Sequence, residues 1–494
     1  MSLAAACGWT LLRALVVAVL SVPVCWRLRQ ALSTLGRRPR LVLWAVLLVP
    51  FFTPALLTGY AYSNFALSLV RYPLWNEVLY AALLGLRFIP VGTVLMWLAP
   101  PPPVTAEALH CARLSLPAAC GLLGRFRRLA PFAAKGPLRD AFPAAAVIFL
   151  LAFQEFETAS LIGAASWTVW LFDAQAGGLA LGETLRRSLW PVACELVVLA
   201  VLVPLIIRTR FLMAAPHGRP ARLSRGRGAF AWLFALIALT AVTGLPLVLV
   251  GGDTVEGLRI VLRNRRMFEE IAVALGFGLV AGTLAAILAG ALLEAVSRRR
   301  RWAVRRLAGA GVSLLLPGLL GSLVVSLAVL WLFQRPLLRP VYDTPMPAVA
   351  ALALFLLPRA VLLQLLVAAA TPQQGVHVAR LLSAAPHPRG RGAARELLWH
   401  LRRRGQLLAA GVLCVWGYLE LLPASILAPP GMRSAIVRLY EDMHYGRNAV
   451  LSTITLLAML APAVVLVLAA RVLRASASFA GWAGRHRPES VHST

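Results

Sequence analysis

The sequence predicts an all-α polytopic membrane protein, with about eleven transmembrane helices in two parallel halves related by a pseudo-twofold axis. Three observations predict this. Hydrophobic residues make up 60% of the 494, and the mean hydropathy is +0.78, against about 45–50% apolar residues in ordinary globular domains. Those residues fall in blocks of about 18–25, the length that crosses about 30 Å of hydrocarbon as a helix. The chain also repeats itself. His110-Cys111-Ala112-Arg113-Leu114 returns 267 residues later as His377-Val378-Ala379-Arg380-Leu381. Glu155 with Ala159-Ser160-Leu161-Ile162 returns as Glu420 with Ala424-Ser425-Ile426-Leu427, 265 residues on. Leu171-Phe172-Asp173 returns as Leu439-Tyr440-Glu441 after 268.

In chain order the apolar blocks are 9–25, 41–63, 77–99, 141–163, 189–208, 229–251, 270–293, 309–333, 346–370, 405–427 and 449–470. Pro50 in the second block returns as Pro317 in the eighth. Spans 1–5 match spans 7–11, which leaves span 6 as the extra one. An even offset between matching spans keeps the halves parallel, about an axis along the membrane normal. The predicted organisation is a first half over 1–208, an Arg/Gly/Pro-rich cytoplasmic linker over 209–228, a second half over 229–473 and a cytoplasmic tail over 474–494. Of 49 Lys and Arg, 33 fall in alternate loops and the tail, and 12 in the opposite loops. By the positive-inside rule the richer loops are cytoplasmic, so the N-terminus is outside and the C-terminus cytoplasmic.

Charge and cysteine usage exclude several classes. Lys+Arg 49 against Asp+Glu 19 would suggest a nucleic-acid partner in a soluble protein. Here the arginines sit in short loops between apolar blocks, and their meaning is topological; the expected contact is the lipid bilayer, with no nucleic acid. The six Cys stand at 7, 25, 111, 120, 194 and 414 with no close C-x-x-C pair, and read as small apolar fillers. No phosphate-binding G-x-x-x-x-G-K-S/T, H-E-x-x-H or G-x-S-x-G motif is present. No catalytic residue, cofactor or metal site is expected, and the chain is not read as an enzyme.

Two sets of residues stand out. The segments 105–131 and 372–404 are cytoplasmic and too polar to span, and each carries a helical stretch ahead of basic residues. In the first these include His110, Ala112, Arg113, Arg125 and Phe126; in the second, His377, Ala379, Arg380 and Ser383. The second set lies inside spans: Glu155 and Glu157 in span 4, Glu420 in span 10, Arg87 in span 3 and Arg359 in span 9. An ionisable group within a span costs about 2.5–3.5 kcal/mol on insertion scales and usually faces a bundle interior or a wet cavity. Either these groups line a pathway or they form structural ion pairs, Arg87 and Arg359 being the available cations.

The pattern resembles the membrane subunits of binding-protein-dependent ABC importers, of the iron(III)/thiamine type. In that family a cytoplasmic E-A-A-R-L-L-G-like segment is the coupling helix that docks in a groove of the ATPase. His377-Val378-Ala379-Arg380-Leu381-Leu382-Ser383 and His110-Cys111-Ala112-Arg113-Leu114-Ser115-Leu116 fit that register, with His in place of the motif Glu and Ser383 or Leu116 in place of the motif Gly. Gly124-Arg125-Phe126-Arg127-Arg128-Leu129-Ala130-Pro131 is similar to the basic-aromatic stretch that follows. Glu155 and Glu420 occupy the Glu of the family's K-E-x-G-A-T/S span, and the 171–173 and 439–441 strings resemble its external I-Y-E-like stretch. The resemblance implies an ATP-driven importer permease in a bacterial inner membrane. It would move a small solute, such as ferric iron or a thiamine-like compound, by alternating access. Its partners would be two copies of a separate ABC ATPase and a periplasmic substrate-binding protein. The alternatives are a secondary transporter with parallel repeats, or a permease-like scaffold not coupled to an ATPase.

Overall fold

The computed structural model describes residues 2–69, 71–99, 104, 106–116, 121–209, 225–251, 254–263, 265–298, 314–371, 373–384, 388–445, 449–457 and 460. Among these, every regular element is helical. Five helices are long and apolar enough to cross a membrane: Leu3–Thr34, Pro73–Leu98, Gly228–Gly251, Arg265–Glu294 and Met346–Ala368. A sixth is added if Arg38–Phe52 and Ala55–Ser63, bent by 68° at their junction, form one span. The chain is therefore an all-helical membrane protein. Most of the predicted linker, the end of the last predicted span and the tail 474–494 lie outside the described residues.

The N-terminal part comprises α1 (Leu3–Thr34), α2 (Arg37–Phe52), α3 (Ala55–Ser68), α4 (Pro73–Leu98), α5 (Ala106–Leu114), α6 (Leu122–Lys135), α7 (Pro137–Phe153), α8 (Glu157–Ile162), α9 (Trp167–Ala176) and α10 (Leu181–Thr209). The remainder comprises α11 (Arg225–Leu239), a π turn (Thr240–Gly244), α12 (Leu245–Gly251), α13 (Thr254–Arg263), α14 (Arg265–Arg298), α15 (314–319), α16 (Ser322–Phe333), α17 (Met346–Ala370), α18 (Gln373–Ala384), α19 (Pro388–Leu419), α20 (Leu422–Leu427) and α21 (Ala435–Tyr445). Helices α1, α4 and α7 pack on one another, as do α14, α17 and α19. The broken partners follow suit: α3 packs on α8, and α16 on α20.

Four of the blocks predicted as continuous spans are interrupted. The 41–63 block breaks at Thr53-Pro54, where the proline holds Thr53 extended at φ −67°, ψ 131°. The 141–163 block breaks between Phe153 and Glu157, and the 405–427 block between Leu419 and Leu422. The 309–333 block breaks at Gly321, whose φ of +89° lies in the region glycine alone enters without strain. Apolar patterning cannot show such breaks, because each sits inside an otherwise hydrophobic run. Backbone of this kind is tolerated within a bilayer only where protein or a cavity satisfies its polar groups.

The span with no counterpart in the repeat has a defined place. Its π turn frees carbonyls that a regular helix would use, and the α2–α3 bend satisfies them. Tyr62 Oη donates to Ala241 O and Thr58 Oγ1 to Val242 O, each at 3.0 Å, while the Thr53 and Thr243 hydroxyls meet at 2.7 Å. α11 also packs on α1 and α2.

Close approach of α14 and α19 rests on Gly278-x-x-x-Gly282, the spacing that lets helix backbones touch in membranes. A Cβ at Gly278 would lie 2.6 Å from Cys414 O and 2.7 Å from Tyr418 N, both backbone atoms that cannot swing away. Gly278→Ala is expected to destabilise by about 1–3 kcal/mol through overpacking. Gly276→Ala is the control, with nothing within 4 Å; it should be neutral or slightly stabilising in the same unfolding measurement.

Candidate functional site

All four helix breaks meet at one cavity. Its lining includes Phe51 to Ala55 from the first, Gln154 to Glu157 from the second, Gly321 and Ser322 from the third, and Leu419, Glu420 and Leu422 from the fourth. Arg87 and Phe88 on α4, Phe355 and Arg359 on α17, and Trp416 on α19 complete the wall, and the volume is about 150 Å³. The five intramembrane residues singled out in the sequence, Arg87, Glu155, Glu157, Arg359 and Glu420, all line it. They come from four separate elements, and no linear motif joins them.

The repeated glutamates do different jobs. Glu155 is buried, and its carboxylate accepts from Tyr80 Oη at 2.5 Å, Thr158 N at 2.6 Å and Ala159 N at 3.1 Å. It thus caps α8 and satisfies amide groups that the break exposes. The other loose ends of this break are met by α9: Trp167 Nε1 donates to Phe153 O at 2.8 Å, and Thr168 Oγ1 to Glu155 O at 2.9 Å. Neither Arg87 nor Arg359 supplies the partner, so the ion-pair expectation does not hold for Glu155. The cation in this region is Arg13, which grips Glu77 through two hydrogen bonds of 2.7 and 2.9 Å. Arg13 also donates to Ala165 O at 2.7 Å and lies 4.5 Å above the Tyr80 ring.

Glu420 has no such cap. It reaches the Ser322 hydroxyl and feels Arg359 and Arg87 across the cavity. Glu157, which has no repeat counterpart, stands near Glu420 and Arg87 and reaches the Leu421 amide. Arg359 donates to Phe355 O at 2.9 Å and lies 3.8 Å above the Phe355 ring. Arg87, Glu157, Arg359 and Glu420 are all partly exposed to the cavity. Glu157 and Glu420 are the carboxyls that the two parts of the chain bring near each other across the cavity. An aromatic corner adjoins it, with Phe52 stacked on Trp416 at 5.6 Å and Phe51 edge-on at 5.8 Å.

Gln154 ties two breaks together. Its Nε2 donates to Leu319 O at 2.6 Å, and its side chain lies against Gly321, where a Cβ would come 3.2 Å from it. Behind it, Glu195 on α10 is wholly buried beside Gln154. Neither contact was legible in the sequence, since Gln154 and Leu319 are 165 residues apart.

The polar segments form helices as expected. In α5, His110 and Arg113 are exposed and Ala112 is half-buried; in α18, His377 and Ser383 are exposed and Ala379 is buried. Arg125 is exposed on α6, where Phe126 also falls, and Arg380 falls in α18. α5 packs on α6, and α18 on α19. The repeat also places Leu114 and Leu381 at the same register, and these large apolar side chains are 73% and 61% exposed. Their shared exposure was not anticipated. The other repeated string turns inward: Leu171 and Leu439 are buried, Tyr440 Oη meets Ser160 Oγ at 2.9 Å, and Glu441 pairs with Arg433.

Among the described residues, no group of three or more His, Cys, Asp or Glu is placed to hold a metal ion. The fold and site define an all-helical membrane protein with a charged cavity where its broken helices meet. No family model matches the chain, and no curated protein or solved structure matches it.

Proposed function

We propose that this chain is the permease component of an ATP-driven importer, moving a small solute across a bacterial inner membrane by alternating access between two parallel halves. The convergence of four broken helices on one charged cavity carries the reading. Discontinuous helices that meet around polar groups are how transporters build solute sites inside a bilayer. The two-half arrangement is supported by the matched packing of α1, α4 and α7 and of α14, α17 and α19. Docking of a separate ATPase at 105–131 and 372–404 is supported by the exposed faces of α5 and α18, each carrying His, then an inward Ala, then an outward Leu. A periplasmic binding protein would deliver the solute to the opposite face.

Purification of the tagged chain from its own host tests this. An ATP-hydrolysing subunit should be retained, and Leu114→Asp with Leu381→Asp should lower its recovery at least tenfold while leaving the permease folded. Solute uptake should stop on ATP depletion. Uptake that instead follows an ion gradient would establish the secondary-transporter alternative. Loss of both ATPase retention and uptake would leave an uncoupled scaffold, the reading that the His at 110 and 377 would then explain.

A further inference from the structure

We infer that the cavity binds a small zwitterion, a solute carrying one cationic and one anionic group and no net charge. This rests on the transport reading above and deepens it. The cavity wall carries two arginines, Arg87 and Arg359, and two glutamates not used as caps, Glu157 and Glu420. Glu155, the fifth ionisable group, is committed to the α8 amides and Tyr80. The wall therefore offers a solute two guanidinium and two carboxyl groups. No direct ion pair joins them among the described residues, although Glu420 faces both arginines and Glu157 faces Arg87. Buried Arg87 Nε has no hydrogen-bond partner.

A wall of this kind discriminates by charge. A cation alone would be drawn to the glutamates but repelled by the arginines, and an anion would meet the converse. Either would bring a net charge into a low-dielectric region, where an uncompensated charge is expensive. A zwitterion brings none, and it presents its cationic end to Glu157 and Glu420 and its anionic end to the arginines. Phe51, Phe52 and Trp416 add an apolar wall against which an alkyl ammonium or methyl group can pack. Size sets a second limit. A volume of about 150 Å³ is comparable to an engineered cavity that holds a benzene ring, so the solute has on the order of six to eight non-hydrogen atoms.

The full-length protein in lipid nanodiscs tests this by thermal unfolding with probes matched in pairs. Glycine betaine, β-alanine and γ-aminobutyrate are the zwitterions; choline supplies the cationic group alone and acetate the anionic group alone. At least one zwitterion should raise Tm in a concentration-dependent way, as binding to the folded state requires, with no rise from choline or acetate at equal concentration. Arg87→Gln and Glu420→Gln should each abolish the rise. Glu420→Asp should retain part of it, which separates lost binding from misfolding, and Glu183→Gln on the exposed start of α10 should leave it intact. A rise with choline or acetate equal to that with the zwitterions overturns the inference, as does no rise with any zwitterion. An ATPase retained on purification, together with either of those results, would keep the importer reading and reject the zwitterion alone.

Discussion

Glu155→Ala is expected to cost about 3–5 kcal/mol of stability, whereas Glu420→Ala at the matching repeat position should cost about 1 kcal/mol or less. The difference follows from their surroundings. Truncating Glu155 removes the α8 cap, a loss of about 1–2 kcal/mol in ordinary helices. It also strands the Tyr80 hydroxyl, which is wholly buried and donates to this carboxylate at 2.5 Å. Hydrogen bonds to charged groups are each worth about 1.5–3 kcal/mol. Glu155→Gln should fall between wild type and alanine, because an amide oxygen can accept from Thr158 N but carries no charge for the helix end. Glu420 caps no helix amides, and the hydroxyl it reaches, that of Ser322, is itself part-exposed, so its removal strands less. Unfolding titrations in mixed micelles measure both substitutions. Equal losses would show that the two glutamates are structural equivalents after all.

The sequence made the class of the fold legible, along with the identity of the charged cavity residues. Block length and hydropathy dictate membrane-spanning helices, and an ionisable side chain in such a block has few tolerable destinations, so Arg87, Glu155, Glu157, Arg359 and Glu420 could be selected one by one. Two things stayed hidden. The helix breaks at 53–54, 154–156, 320–321 and 420–421 occur within unbroken apolar runs, and the hydrogen bonds that sustain them come from distant positions such as Trp167 and Tyr80. The division of labour between glutamates was hidden for a related reason. Repeat spacing equates Glu155 with Glu420, but Tyr80, which donates to Glu155, and Arg13 behind it have no counterparts: 267 positions beyond Tyr80 stands Pro347, and 267 beyond Arg13 stands Val280. The copies match in sequence, while Glu155 and Glu420 have different side-chain partners.

Arg13→Ala is the second substitution expected to have a large effect, at about 3–5 kcal/mol, the usual penalty for removing one partner of a buried ion pair. The Arg13 side chain is 3% exposed and that of Glu77 22%, so the stranded carboxylate has little water to turn to. The pair itself need not be net stabilising. Arg13→Met with Glu77→Leu keeps similar volume and leaves no buried charge, and should recover most of the loss. What it should not recover is the hold on Ala165 O, at the start of the loop that presents Trp167 and Thr168 to the α7–α8 break. Arg13 therefore connects to Glu155 by two routes, through that loop and through the Tyr80 ring. Groups joined in one network are non-additive by about 0.5–3 kcal/mol. The double substitution Arg13→Ala with Glu155→Ala should accordingly cost less than the two single losses combined. Strict additivity would mean that the ion pair and the cap stabilise the break independently, and that Tyr80 transmits nothing between them.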